Sequence, residues 1–102
     1  MNDLTSRVRT LVYESIDEIN PGLDPDNRLT RQDAERLFGP GSRLGSLGLV
    51  NLLLAVEDRV ESGFGLSIQL TDSPALFSSD GPLRSLGAFI DCVADMVHKA
   101  ER

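Results

Sequence analysis

Ser46 is the residue of this sequence best placed to carry chemistry, because a loop gives way to a helical pattern at this position. The residues before it, 41–45, contain two glycines, and a long apolar run follows it. The first turn of a helix has backbone N–H groups without partners, and the helix dipole favours a negative charge there. A phosphate group on Ser46 would therefore be stabilised, while the simpler interpretation is an ordinary N-cap serine.

The other reactive side chains lack the partners that catalysis or metal binding requires. Cys92 and His98 are the single cysteine and the single histidine, and their spacing does not place them on one helical face. Residues 44–48 resemble a serine-hydrolase elbow, but Leu44 replaces its first glycine and no strand is predicted before it. The same loop lacks the lysine of a phosphate-binding P-loop. We therefore predict no catalytic residues, no metal site and no enzyme.

Three carboxylates follow the apolar run on the same predicted helix. Glu57, Asp58 and Glu61 have no accompanying acid or base that would make a catalytic pair. They are interpreted as a solvated helix face or, alternatively, as a docking surface for a basic partner.

Length and charge narrow the class of protein further. The 102 residues predict a single domain, residues 1–102. Sixteen acidic residues against ten basic ones give a net charge of −6, which disfavours binding to nucleic acid or to an anionic membrane. There is no apolar run long enough to cross a membrane and no signal-peptide pattern at the N-terminus, so the sequence predicts a soluble, cytoplasmic location.

Apolar spacing predicts an all-α fold with three main helices, at residues 4–19, at residues 46–61 and from about residue 86 onward. The middle helix has two apolar stripes. The first is a complete core face and consists of Leu49, Leu52, Leu53, Val56 and Val60. The second lies beside it and consists of Leu47, Val50 and Leu54.

The connections between these helices predict shorter elements. In the long first loop, Thr30 and Asp33 resemble a capping box that can open an extra helix of two turns ending near Phe38. Residues 66–70 alternate in polarity, but an isolated strand has no partner, so we predict an extended linker. Ser73 and Pro74 are typical of a short helix that ends near Phe77.

Three segments of the chain resemble the acyl carrier protein family. The sequence LGSLGLVNLLLAVED (residues 44–58) is similar to the family's Asp-Ser-Leu motif and the apolar helix that follows it. The sequence FGLSI (residues 64–68) resembles the family's exit from that helix, and PLRSLGAFI (residues 82–90) resembles the entry to its last helix. The order of helix, long loop, helix, short helix and helix is also the family's.

This resemblance implies a four-helix bundle that carries acyl groups rather than transforming them. Ser46 would bear 4′-phosphopantetheine, installed from coenzyme A by a phosphopantetheinyl transferase, and the terminal thiol would hold the acyl group as a thioester. The implied partners are acyl-transferring or acyl-activating enzymes with basic docking patches, and a monomer is expected. The residues expected to face these partners are Gly45, Leu47, Val50, Leu54, Asp58 and Glu61.

The sequence also departs from the family's pattern. Gly45 replaces the aspartate before the serine, and Gly48 and Asn51 stand where acidic residues are common in fatty-acid carriers. The first loop is longer than usual and contains the arginines at positions 28, 31, 36 and 43. We therefore expect a specialised carrier of a dedicated lipid or secondary-metabolite pathway. The alternatives are a carrier of aminoacyl, peptidyl or D-alanyl groups and an unmodified helical interaction module.

Overall fold

Three long helices dominate the computed structural model, which describes residues 3–38, 42, 44–70 and 81–100. They are α1 (Asp3–Ile19), α2 (Ser46–Phe64) and α3 (Leu86–Ala100). Short 3₁₀ turns occupy Asn20–Gly22, Pro25–Asn27 and Pro82–Arg84, and the described ranges contain no strand. The predicted small helical bundle and its three main helices are confirmed. No helix within these ranges is both long and apolar enough to span a bilayer.

The core forms where the predicted apolar faces of the three helices meet. All five residues of the first α2 stripe are buried, as is the predicted face of α3 from Leu86 to Val97. On α1 the central residues of the predicted stripe are buried, whereas Leu4 and Ile19 at its two ends are half-buried. The residues between the helices that complete the core are Leu29, Leu37, Leu44, Ile68, Leu70 and Leu83. This burial is the main source of stability, because helices of this length are marginal in isolation.

Helix α2 extends beyond its predicted end near Glu61. Gly63 continues the helix, which ends instead at Gly65. Gly65 has a φ of 68°, in the left-handed region, and its N–H donates to the Glu61 carbonyl over 3.0 Å. Glycine adopts this conformation without the steric cost of a Cβ atom, so Gly65 stops the helix.

The first loop differs from the prediction, since no two-turn helix forms between Thr30 and Phe38. The Thr30 N–H and hydroxyl both donate to one carboxylate oxygen of Glu35, at 3.2 and 2.8 Å, instead of opening a helix with Asp33. The Asn20 side chain bonds the Leu29 N–H and carbonyl at 2.9 and 3.0 Å and thus folds the chain back on the end of α1. These long-range bonds replace the local ones that a helix would need.

The same loop reaches across to the start of α3. The Leu86 N–H donates to the Glu35 carbonyl over 2.7 Å, and the Gly87 N–H donates to the Asp33 carbonyl over 3.0 Å. The next N–H, of Ala88, donates to the Ser85 hydroxyl over 3.1 Å. The first free N–H groups of α3 therefore have acceptors, two of them supplied by the loop.

The segment predicted to be an extended linker, residues 66–70, contains neither helix nor strand. Leu70 is buried at its end, and the Leu70 N–H donates to the Glu57 carboxylate of α2. The predicted short helix from Ser73 to Phe77 lies outside the described residues.

Candidate functional site

Ser46 is the first residue of α2, as the sequence predicts. Gly45 is the N-cap residue, with φ −79° and ψ 173°, and no side chain caps the helix. The Leu49 N–H donates to the Gly45 carbonyl over 2.9 Å, which is the first hydrogen bond of the helix. Among the described residues, no acceptor from the first loop is found for the first N–H groups of α2, in contrast to those of α3, and this helix start can take a negatively charged group.

Gly45 leaves open space beside Ser46. The residue is exposed, and a Cβ atom built on it would meet no atom within 4 Å. Its φ is negative, so any L-residue can adopt this conformation. The missing aspartate of the family motif is therefore a difference in chemistry and not a steric requirement of this backbone.

The second apolar stripe of α2 is exposed. Leu47, Val50 and Leu54 are 76%, 38% and 49% exposed, and they are the large apolar residues that the described chain leaves in contact with solvent. They follow Ser46 along one side of the helix at the spacing that the sequence indicates. Exposed apolar side chains grouped in this way are typical of an interaction surface.

Gly48 and Asn51 occupy different environments, although both stand where carrier proteins commonly have acids. Asn51 is exposed on the same side of α2 as the stripe. Gly48 is buried, and a Cβ atom on it would lie 3.3 Å from Leu44 and 3.4 Å from Leu23. Gly48 therefore packs the first loop against the helix and is not part of the exposed side of α2.

The three carboxylates of α2 also separate into two groups. Asp58 and Glu61 are exposed, as a docking surface requires. Glu57 is half-buried and accepts the hydrogen bond from the Leu70 N–H, which fixes residues 66–70 on α2. Glu57 is thus a structural residue, whereas Asp58 and Glu61 remain available to a partner.

A cleft of about 520 Å³ lies between the C-terminal end of α1 and the exposed side of α2. Its apolar lining consists of Ile19, Leu23, Leu54 and Ala55, and its polar lining of Glu18, Asn51 and Asp58. The sequence alone does not predict this cleft, because half of it comes from the end of α1 and the turn that follows. The sequence feature that points to it is the pair of apolar residues Ile19 and Leu23, one on each side of the turn that ends the helix. Both residues are half-buried in the structure.

A second, smaller groove of about 250 Å³ lies on the other side of Leu54 and Asp58. It is lined by the three α2 carboxylates and by Ser67 and Ile68 of the segment after α2. Leu54 and Asp58 therefore form a ridge between two depressions of the α2 surface.

The arginines of the first loop serve the fold. Arg31 forms an ion pair with Asp17 and lies over the Tyr13 ring, 5.1 Å from its centroid. Arg28 donates to two backbone carbonyls near the end of α1, and Arg36 donates to the Phe38 carbonyl over 3.0 Å. Arg43 lies outside the described residues. The described arginines hold the loop in place. The long first loop therefore has a structural role, in addition to any role in the choice of partner enzymes.

Cys92 and His98 lie apart from Ser46, on α3. Cys92 is half-buried, and burial raises the pKa of its thiol, which keeps it protonated and unreactive. His98 is exposed and borders a groove that also contains Asp91 and Asp95. Within the described ranges, no group of three potential ligands is arranged to hold a metal ion.

Comparisons with known protein families, with curated proteins and with solved structures found no match to this chain. The structure defines the class as a small helical bundle in which Ser46 opens the second long helix, α2.

Proposed function

We propose that this protein is a specialised acyl carrier protein that is modified on Ser46 with 4′-phosphopantetheine. The observation that carries the proposal is the arrangement of α2: a serine opens the helix, no side chain caps it, and an exposed apolar stripe and two exposed acids follow. Most of these features lie in residues 44–58, the first of the three segments that resemble the acyl carrier family. The acyl-carrier-like four-helix bundle, with residues 73–77 as its short third helix, belongs to the same proposal.

The start of α2 fits a phosphodiester. Its backbone N–H groups and the positive end of the helix dipole stabilise a negative charge on Ser46. Gly45 is exposed and has open space around it, which gives a transferase access to the serine. When attached, 4′-phosphopantetheine supplies a thiol that holds acyl groups as thioesters.

The exposed side of α2 is the proposed docking surface for partner enzymes. Leu47, Val50 and Leu54 supply apolar contact, and Asp58 and Glu61 supply charge for basic patches on a phosphopantetheinyl transferase and on acyl-transferring or acyl-activating enzymes. Exposed charges act mainly on the rate and specificity of association and less on its strength. A carrier needs such contacts, because it must leave each enzyme after its reaction.

Intact mass is the direct test of this proposal. The protein is incubated with coenzyme A and a phosphopantetheinyl transferase from its native host, and we expect a mass gain of one phosphopantetheine group. Ser46→Ala should abolish the gain, and Ser62→Ala, which removes an exposed serine from the same helix, should leave it intact. An unchanged mass of the wild-type protein, or a gain that survives Ser46→Ala, would contradict the proposal.

The exposed apolar stripe also favours a second candidate, an unmodified helical interaction module. Leu47, Val50 and Leu54 can bind a partner without any group on Ser46. In that case the wild-type mass stays unchanged, and Ser46→Ala binds the same partners as the wild type. A carrier of aminoacyl or peptidyl groups would gain the same mass as an acyl carrier and is distinguished by the group that its activating enzyme loads.

A further inference from the structure

We propose that the cleft between α1 and α2 is the resting site of the distal part of the prosthetic arm and of the short acyl group attached to it. This inference rests on the proposed modification of Ser46. It concerns an open surface cleft of about 520 Å³ that is formed by the end of α1, the turn after it and one side of α2. Its lining is part apolar and part polar, and its volume lies within the range of small-molecule sites.

The position of the cleft along α2 matches an arm attached at Ser46. Its α2 residues run from Asn51 to Asp58. At a helical rise of 1.5 Å per residue, Asn51 lies about 7–8 Å and Asp58 about 18 Å along the axis from Ser46. An extended pantetheine arm spans a comparable distance, so an arm laid along this side of the helix passes Asn51 first and ends near Leu54 and Asp58.

The residues that line the cleft can contact both the amide groups and the methylene groups of the arm. Asn51 is exposed at the end of the cleft nearer Ser46, and its side-chain amide can donate to and accept from an amide of the arm. Ile19, Leu54 and Ala55 then offer apolar contact to the methylene groups beyond it, whereas Leu23 lies at the Ser46 end of the cleft, beside Gly48. Burial of these groups removes apolar surface from water, which is favourable.

The charged side chains at the end of the cleft far from Ser46 determine which terminal group of the acyl chain is tolerated there. Glu18 is paired with Arg59 at 2.5 Å, while no ion pair is described for the exposed Asp58. A terminal carboxylate would meet Asp58 as a like charge. The cleft therefore favours a short acyl group with an apolar or amino end and disfavours one with a carboxylate end.

The buried core of the bundle is a less suitable place for the acyl group. Leu52, Leu53 and Val56 of α2 and Phe89 and Val93 of α3 are completely buried. Room for a ligand among them would require these side chains to part, and close-packed interiors resist such changes. The cleft beside α1 is already open.

The test is to locate the acyl group by isotope-filtered nuclear Overhauser effects. The wild-type protein is loaded with a ¹³C-labelled butyryl-pantetheine arm, and intact mass first verifies the loading. We expect contacts from the butyryl group to the methyl groups of Ile19, Leu54 and Ala55. Contacts to core methyl groups such as those of Leu53 and Val93, or the absence of any contact, would overturn the inference. A protein that fails to load contradicts the proposed function, whereas a loaded protein without cleft contacts contradicts the cleft alone.

A carboxylate-ended group of the same chain length tests the charge selection. We expect a succinyl group to lose the contacts that butyryl makes, and Asp58→Asn to restore them. Glu61→Gln removes a neighbouring carboxylate that does not line this cleft and should restore nothing. Equal contacts from succinyl and butyryl in the wild type would overturn the selection by Asp58.

Discussion

Gly45 is the residue whose replacement should most change how the protein is recognised. An aspartate here would restore the family's Asp-Ser-Leu motif, and its Cβ has open space and an unstrained φ. We expect Gly45→Asp to increase the rate of phosphopantetheine loading by a general transferase, measured by intact mass over time. Stability should rise by a few tenths of a kcal/mol, because aspartate is a better N-cap than glycine.

Asparagine at the same position separates the two effects of aspartate. Gly45→Asn supplies the side-chain cap but no charge, and asparagine and aspartate are similar as N-caps. The asparagine variant should therefore gain the stability and not the faster loading. Equal loading rates for the wild type and both variants would show that the transferase does not recognise a carboxylate at position 45.

Adjacent residues of the same type have different roles in this protein, and the sequence separates them only in part. Leu53 and Leu54 were correctly assigned to core and surface, because the helical period fixes which side of α2 each one faces. Glu57 and Asp58 were grouped as one acidic surface, yet Glu57 binds the segment after α2. That role depends on where residue 70 lies in space, which helical periodicity does not contain.

At the scale of elements, the first loop links α1 to α3. Arg9 of α1 bonds Asp33 over 2.6 Å, and this carboxylate, followed by the Tyr13 hydroxyl, raises the pKa of the Arg9 guanidinium. The Asp33 carbonyl in turn accepts the N–H of Gly87. Asp33 is exposed and Arg9 is partly exposed, so the ion pair orients the loop more than it stabilises the fold.

Gly87 allows the close approach of this loop to α3. A Cβ atom there would lie 3.2 Å from the Asp33 Cβ and 3.5 Å from the Asp33 carbonyl oxygen, so the loop would have to move. We expect Gly87→Ala to destabilise the protein by about 1–3 kcal/mol, as overpacking usually does. Hydrogen exchange should quicken at the amides of Leu37 and Phe38, which bond to the Leu83 carbonyl.

Gly63 is the matched control for this change. It is also a helical glycine, and its nearest contact to an added Cβ is an ordinary 3.9 Å from Leu11. Gly63→Ala should stabilise α2 by up to about 1 kcal/mol, because alanine has the higher helix propensity. Stabilisation by Gly87→Ala of the same size would mean that the loop is not held at 3.0 Å from α3 in solution.

The three helices were predictable and the first loop was not, for one physical reason. Helix positions follow from apolar periodicity and stop signals, which are local in sequence. The loop is held by bonds between distant residues, such as Asn20 with Leu29 and Glu35 with Leu86. The Thr30 capping pattern was therefore misread, since its side chain had a better partner in Glu35. The cleft was missed for the same reason, because it joins Ile19 to Leu54.

Charge is distributed unevenly over the whole molecule. Arg9, Arg31 and Arg59 are engaged with acids of α1 and the first loop, while no ion pair is described for Asp58 or Glu61 on the exposed side of α2. Part of the net charge of −6 therefore lies uncompensated beside the exposed apolar stripe. This arrangement attracts basic partners to the same side of the molecule as Ser46 and disfavours close approach of a second copy.

The stability of the whole domain depends on the inner side of α2 and not on this outer side. Leu53 is completely buried, and Leu53→Ala should cost about 2–5 kcal/mol, a large share of the roughly 5–15 kcal/mol that holds such a domain folded. Leu54→Ala deletes the same atoms from a side chain that is 49% exposed and should cost far less. Thermal unfolding followed by circular dichroism measures both, since each kcal/mol lowers the Tm of a domain of this size by about 4–8 °C. Similar losses of Tm in the two variants would contradict the division of α2 into a core stripe and a docking stripe, on which the proposed function depends.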